Sequence, residues 1–284
     1  MSGDRVGFGW RPELAATILG HLGEIDVVEV LADDHLDDSR ASLRGLNLLA
    51  RRVPVMLHGT GLGLGSAEPP SDLLLDRLAR LHDAVEPEAW SEHLAFVRAG
   101  AHEIGHLAAP PRTAESVDAA CRNIERARRR VGRAPLVENI ATLIEPPGST
   151  MDEPTWLAAI LRGSGAGLLL DLHNLHANAV NFGWPAERLL AEIPLDRVST
   201  VHVAGGSWVT AEHTGTRRLL DDHRHDVPDA VLRLLGELGA RAPGPLTVIL
   251  ERDGNFPAAA ELLGALGQIR AALASGRAAR ERRP

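Results

Sequence analysis

The chain has 284 residues, enough to bury a full core as one large α/β barrel or as two smaller domains. Its hydrophobic fraction of 44% and charged fraction of 24% are ordinary for a globular protein, and its formal net charge of −8 weighs against a general nucleic-acid binder. No stretch approaches the ~20 apolar residues of a membrane span, which excludes that class of protein. The lone Cys121 has no intrachain partner and the N-terminus lacks a secretory signal, so a reducing, cytoplasmic setting is expected.

Short apolar runs bounded by turn residues read as buried parallel strands, and stretches of helical periodicity separate them. The first strand is expected over residues 5–9, followed by a helix with Leu14, Ile18 and Leu22 on one face. A strand over 26–31 contains Glu29, and one over 53–58 ends on His58. After a helix carrying Leu74, Leu78 and Leu81, the strand over 90–96 holds His93. A helix through Val117, Cys121 and Ile124 leads to a strand over 135–139 with Glu138. The strands over 167–172, 198–203 and 246–251 carry Asp171, His202 and Glu251. Helices around Trp156–Leu161, Ala186–Ile193, Val231–Leu238 and Leu262–Ile269 complete the alternation.

Eight alternations of strand and helix, with no linker-like break, predict parallel strands joined by crossover helices. An open sheet builds its site at one switch point from few strands. Here nearly every strand ends on a polar residue, which is the arrangement of a (β/α)8 TIM barrel. One barrel domain is therefore expected over residues 1–276, with 277–284 as a flexible basic tail.

Three histidines and four carboxylates converging at strand ends repel one another unless a cation pairs with them. A mixed imidazole and carboxylate set suits Fe, Mn or Zn better than Mg or Ca, and so many ligands call for two or three ions. Two clusters add donors. In the run from Asp171 to Asn178, Asp171 and His173 share a side if the strand stays extended. In Asp221-Asp222-His223-Arg224-His225-Asp226, read as a loop, alternate residues share a face. The glycines of 59–65 lack the Lys-Ser/Thr ending of a phosphate loop and fit close backbone packing beside a metal site. Asp253 and Asn255 read as caps of the last helix.

Taken in order, these stretches resemble the multinuclear non-heme iron-dependent oxidative enzymes. That family includes the methanobactin-biosynthesis oxygenase and was formerly domain-of-unknown-function family 692. The resemblance runs from Gly7-Phe8-Gly9-Trp10-Arg11 through His58–Ser66, Ser91-Glu92-His93-Leu94, Val137-Glu138-Asn139-Ile140 and Asp171–Asn178. It continues through His202-Val203-Ala204-Gly205-Gly206 and Leu220–Asp229 to Glu251–Pro257.

The resemblance implies a barrel holding two or three irons, mixed Fe(II)/Fe(III), with O2 as co-substrate. It implies His58, His93 and Glu138 on one iron, Glu138 bridging to a second held by Asp171, His202 and Glu251. A third would take Asp221 and His223 with either His173 or Asn174. Asn139, Asn174, His225 and Arg252 are expected to support the ligands or touch substrate. The implied activity is oxidation of one residue, Cys foremost, of a ribosomally synthesised precursor peptide. A separate partner protein would capture the leader peptide, since no spare domain is evident for it. The competing expectation is a metal-dependent hydrolase or isomerase of the endonuclease IV or xylose isomerase type. The chain contains no lysine, which weighs against a lysine-dependent sugar isomerase.

Overall fold

The computed structural model describes residues 3–39, 41–100, 102–210 and 215–282. Eight parallel strands close into a barrel in the order of the chain: β1 (Arg5–Gly9), β2 (Val28–Leu31), β3 (Val55–Gly59), β4 (Ala89–His93), β7 (Leu136–Glu138), β8 (Gly167–Asp171), β9 (Val198–Val203) and β12 (Thr247–Leu250). The numbers missing from that order belong to two antiparallel hairpins, β5 (Phe96–Ala99) with β6 (His102–Ala108), and β10 (Gly206–Thr210) with β11 (Arg217–Asp221). The expected (β/α)8 barrel is thus observed, and every expected strand is present with ends shifted by at most three residues. The hairpins are additions that the hydrophobic runs did not signal.

Barrel strands are buried on both faces and read as unbroken apolar runs for that reason. Leu168, Leu169 and Leu170 of β8 have no exposed surface, and neither do Leu57 of β3 or Ile249 of β12. Each such Leu or Ile contributes about 1.5–3 kcal/mol relative to an exposed side chain.

The chain divides into two compact units. One comprises residues 28–140 and 146–169. It carries β2 to β7 and the start of β8, with helices α2 (Leu43–Ala50), α3 (Asp72–Val85), α4 (Ala114–Val131) and α5 (Glu153–Ser164). Local chemistry sets its helix ends. Thr113 and Ser116 form a reciprocal capping box at the start of α4, and the Asp152 carboxylate accepts from the Thr155 N–H at the start of α5.

The other unit comprises residues 1–27, 141–145 and 170–284. It holds β1, the end of β8 and β9 to β12, with α1 (Ala15–Gly20), α6 (Leu172–Phe182), α7 (Ala186–Glu192), α8 (Asp229–Arg241) and α9 (Ala259–Glu281). Within it β12 pairs with both β1 and β9. The expected flexible tail from Arg277 needs correction, because α9 runs through to Glu281. The Arg277 guanidinium donates to the Asp4 carboxylate at 2.7 and 2.9 Å and to the carbonyls of Gly239, Ala242 and Gly244. That ties α9 to the chain just before β1 and to the end of α8, so an ordered helix replaces a frayed end.

Candidate metal centre

In the first unit, strand register sets the geometry. Residues paired across parallel strands point the same way, and the register places His58 beside Ser91 and His93 beside Glu138. His58 Nε2 lies 3.5 Å and His93 Nε2 3.4 Å from Glu138 Oε2. The two imidazoles meet edge-on with centroids 4.7 Å apart. All three residues are buried, and their ligand atoms lie within 4.8 Å of one another.

Ser91 fixes which nitrogen of His58 is available. Its hydroxyl donates to the Leu57 carbonyl at 3.4 Å and stands 2.8 Å from His58 Nδ1. In the tautomer in which the hydroxyl proton goes to Leu57, the serine oxygen accepts from Nδ1–H and the lone pair is left on Nε2. This is how an orienting partner prepares a metal-binding histidine.

Glu92 lies one residue before His93 and is also buried. Its carboxylate accepts from the backbone N–H of His93 at 3.0 Å and of Leu62 at 3.2 Å. Burial pushes its carboxyl well above the usual range, and the charge of Asp33 pushes the same way. Two of the glycines of 59–65 follow from these carboxylates. A Cβ on Gly59 would meet Glu92 Oε2 at 2.7 Å, and one on Gly61 would meet Asp33 Oδ1 at 2.6 Å. Asp33 also accepts from the Thr60 N–H at 2.8 Å. The loop needs glycine at 59 and 61 because two acids pack there, at 63 for its φ of 64°, and at 65 because the Ala95 backbone lies 3.1 Å from where a Cβ would stand.

In the second unit, Asp171, His202 and Glu251 each offer one ligand atom, all within 4.8 Å of one another, and all three residues are buried. His202 Nδ1 stands 3.0 Å from Glu251 Oε2. Asp171 has a second task, since its Oδ1 accepts from the Asn174 N–H at 2.6 Å and caps α6. Helix begins directly at Leu172, so the extended geometry expected for Asp171 and His173 is corrected. His173 lies in the first helical turn and still reaches Asp221, with Nδ1 2.9 Å from Oδ1. Those two atoms do not satisfy hydrogen-bond geometry with each other despite that distance, as expected of donors aimed at a common point.

Asp221, expected in a loop, instead closes strand β11. His223 Nε2 lies 2.9 Å from the Asp221 carboxylate and 3.7 Å from Glu251 Oε2. Burial alone would raise Asp221, but the charge of His223 and contacts from His173 and His223 hold its carboxyl down at about 2. Burial likewise opposes charge on His223, and the carboxylates of Glu251, Asp221 and Asp253 hold its pKa well above the ordinary imidazole range.

The donor set fits a transition metal. Two ligand atoms each about 2.1 Å from one ion and roughly at right angles are about 3 Å apart. The nitrogen–oxygen separations of 2.9 and 3.0 Å in the second unit match that spacing, and 3.4–3.5 Å in the first suits a wider angle.

The expected supporting residues divide. Asn139 is buried beside Glu138 and lines a small cavity with Arg112, Glu153 and Trp156. Asn174 contributes its backbone N–H to Asp171, whereas the ligand-side contact to Asp221 comes from His173. His225 does not share a face with Asp221 and His223. Residue 223 adopts φ 53°, which breaks the alternation, and the half-exposed His225 ring pairs with Asp222 at 2.9 Å. Arg252 is buried but turned to Asp226 at 3.1 Å and to the Asn255 carbonyl at 2.8 Å. Asp253 does not cap the last helix, whose N-cap is Ala258; its carboxylate binds His223 and Arg11. Ser91, Glu92 and Asp253 are the site neighbours whose roles the sequence reading missed. Ser91 and Glu92 lie inside a matched stretch, and their adjacency to His93 was the available signal.

A family model described as RiPP precursor modification enzyme MbnB/TglH/ChrH matches residues 5–274. A UPF0276 protein of Streptomyces avermitilis is 41% identical over 279 residues, covering 94% of this chain and 55% of that protein. The chain thus spans about half the length of that relative. A UPF0276 protein of Bordetella parapertussis is 33% identical over 272 residues, covering 96% and 93%. Among solved structures, D-psicose 3-epimerase from Clostridium cellulolyticum matches with TM-score 0.58 at 11% identity, covering 97% of this chain and 99% of that one. Endonuclease IV from Thermus thermophilus matches with TM-score 0.56 at 15% identity, covering 95% and 99%. At such identities the likeness is one of fold.

Proposed function

Because this chain belongs to the MbnB/TglH/ChrH family of RiPP precursor modification enzymes, we propose that it oxidises one residue of a ribosomally synthesised precursor peptide, with O2 as co-substrate. The proposed cofactor is two or three irons, mixed Fe(II)/Fe(III), and the proposed target residue is Cys. The observation that carries this reading is the presence of two buried His/carboxylate sets at strand ends, His58/His93/Glu138 and Asp171/His202/Glu251.

His58, His93 and Glu138 would hold one ion and Asp171, His202 and Glu251 another. Asp221 and His223 would hold a third, with His173 as the nearer of its two candidate helpers. Bound iron would supply electrons to O2 and would ionise a substrate thiol near pH 7. The protein's own part is preparation. Ser91 keeps the His58 lone pair on Nε2. Glu92 fixes the backbone N–H groups of Leu62 and His93. Burial of the donors keeps water from competing for them. Asn174 supports Asp171 through its backbone N–H, and Asn139 stands next to Glu138 in the chain. His225 and Arg252 are held by Asp222 and Asp226, away from the donors, and would meet only the outer part of a peptide. A separate leader-binding protein would deliver that peptide. No helix among the described residues is long and apolar enough to cross a membrane.

The test is anaerobic purification, iron quantification with Mössbauer spectroscopy, and O2 uptake with a short Cys-rich precursor peptide encoded beside the gene. Two or three irons per chain and peptide-dependent O2 consumption are expected. Zinc or magnesium at full occupancy with no O2 uptake would overturn the reading in favour of a metal-dependent hydrolase or isomerase.

A further inference from the structure

His223 adopts a backbone conformation that L-residues avoid. Its φ of 53° lies in the left-handed region, at a cost of about 1–2 kcal/mol for a residue with a β-carbon. That conformation turns the imidazole back over β11, so that Nε2 faces Asp221 at 2.9 Å and Glu251 at 3.7 Å. Something must hold it there, and the contacts identify Asp253. The Asp253 N–H donates to the His223 carbonyl at 2.7 Å, and Asp253 Oδ2 lies 3.0 Å from His223 Nδ1. One residue thus grips both the backbone and the ring of His223.

Asp253 is itself clamped. Its Oδ1 accepts from Arg11 Nε at 2.6 Å and pairs with Nη2 at 2.5 Å, a two-pronged contact, while Arg11 Nη1 donates to the Trp10 carbonyl at 2.7 Å. The arginine follows β1 and the aspartate follows β12, two strands that pair in register from Arg5–Thr247 to Phe8–Leu250. The clamp therefore stands on adjacent barrel strands, whereas His223 stands on the segment after a hairpin.

We propose that Asp253, fixed by Arg11, is the positioning residue of the third metal set: it binds Nδ1–H of His223 and so presents Nε2 to an ion shared with Asp221. This rests on the reading of Asp221 and His223 as metal ligands. A carboxylate on the far nitrogen orients a ligating imidazole and raises its basicity, and losing such a partner typically lowers metal affinity about 10–100-fold. An aspartate present only to hold the loop would leave metal affinity where it was.

The experiment titrates metal-depleted protein with Co(II), followed by calorimetry and the visible absorption of the bound ion, across wild type, Asp253→Ala, Asp253→Asn, Arg11→Ala and His223→Ala. Wild type should show three binding events. Asp253→Ala should weaken one of them about 10–100-fold and leave two unchanged. Asp253→Asn, whose amide oxygen still accepts from Nδ1–H, should restore most of the loss, and Arg11→Ala should move the same event less far. His223→Ala should abolish that event. If His223→Ala removes it while Asp253→Ala binds like wild type, the positioning role is refuted and the ligand reading stands. If His223→Ala changes nothing, or wild type shows no third event, the third set itself is refuted and the inference falls with it. Should Asp253→Ala unfold, Arg11→Ala supplies the comparison, and wild-type affinity in it would overturn the proposal.

Discussion

Replacing Ser91 by alanine removes one hydroxyl from a site where every other atom can stay in place. The hydroxyl is completely buried, 2.8 Å from His58 Nδ1 and 3.4 Å from the Leu57 carbonyl. Losing a partner at a buried polar group costs about 1–3 kcal/mol. Where that cost appears depends on what His58 does. If Nε2 binds metal, the lost bond lets the ring turn and makes it less basic, so the penalty falls mainly on the metal-bound state. Loss of an orienting partner lowers metal affinity about 10–100-fold, equivalent to about 1.4–2.8 kcal/mol and within the same range. The assay is competition for Fe(II) between protein and a chromophoric chelator, alongside thermal unfolding of the metal-depleted protein. One class of site should weaken by that factor while the Asp171/His202/Glu251 set keeps its affinity. A variant whose metal-depleted form loses stability while its iron affinity stays at the wild-type value would refute the ligand role of His58.

Four further outcomes follow from contacts already described. Arg277→Ala should lower stability by about 2 kcal/mol, a fall of roughly 4–8 °C in melting temperature, because it unties α9 from Asp4 and three carbonyls; an unchanged melting temperature would return the C-terminal segment to the status of a loose tail. Burial pushes Asp4 up, but hydrogen bonds from Arg277 and the Leu246 N–H outweigh it and hold the carboxyl below its ordinary value. The stability from Asp4 is therefore whole above the unfolded pKa of about 3.9 and is lost as pH falls through the lower folded value. Urea denaturation of Asp4→Asn should accordingly show a flatter loss of stability below about pH 4, and an acid limb identical to wild type would count against the pair. Gly206→Ala would drive a methyl into the Leu220 carbonyl and to 2.6 Å from His173 Cε1. It should cost about 1–3 kcal/mol and weaken the third metal, read by Co(II) titration; wild-type binding would show that His173 is free to move. Chelation of the holoprotein should lower its melting temperature in proportion to the metal bound, since the donors then lose their shared counter-charge; a scan unaffected by chelator would argue against any ion at these sets.

The barrel was legible because buried parallel strands leave a strong mark, an apolar run such as Leu168–Leu170 that ends on a ligand-type residue. The two hairpins were not. The exposed strand β6 has no apolar run, and its turn is signalled only by Gly100 at φ 59°. The hairpin of β10 and β11 lies where Trp208 packs on the Arg217 guanidinium rather than in a core, so hydrophobic periodicity is silent there. The site divides similarly. The six strand-end ligand candidates could be read from strand ends alone, whereas Asp171 and His173 were paired by an alternation that ends where α6 begins. His225 was grouped with His223 by the same rule, and a single left-handed residue undid it. The role of Asp253 was out of reach, since it depends on Arg11, 242 positions away in sequence.

Placing Asp221 at the end of a hairpin has an evolutionary consequence. His173 sits on a helix turn, Asp221 on an appended ribbon and His223 just beyond it, so none of the three is a barrel-strand residue. Changes to that appendage can add or remove one ion while the eight strands and their six end residues keep their register. Under the proposed ligand sets, the scaffold would separate two strand-end sites from an adjustable third, and nuclearity would become a trait that can vary without redesigning the barrel.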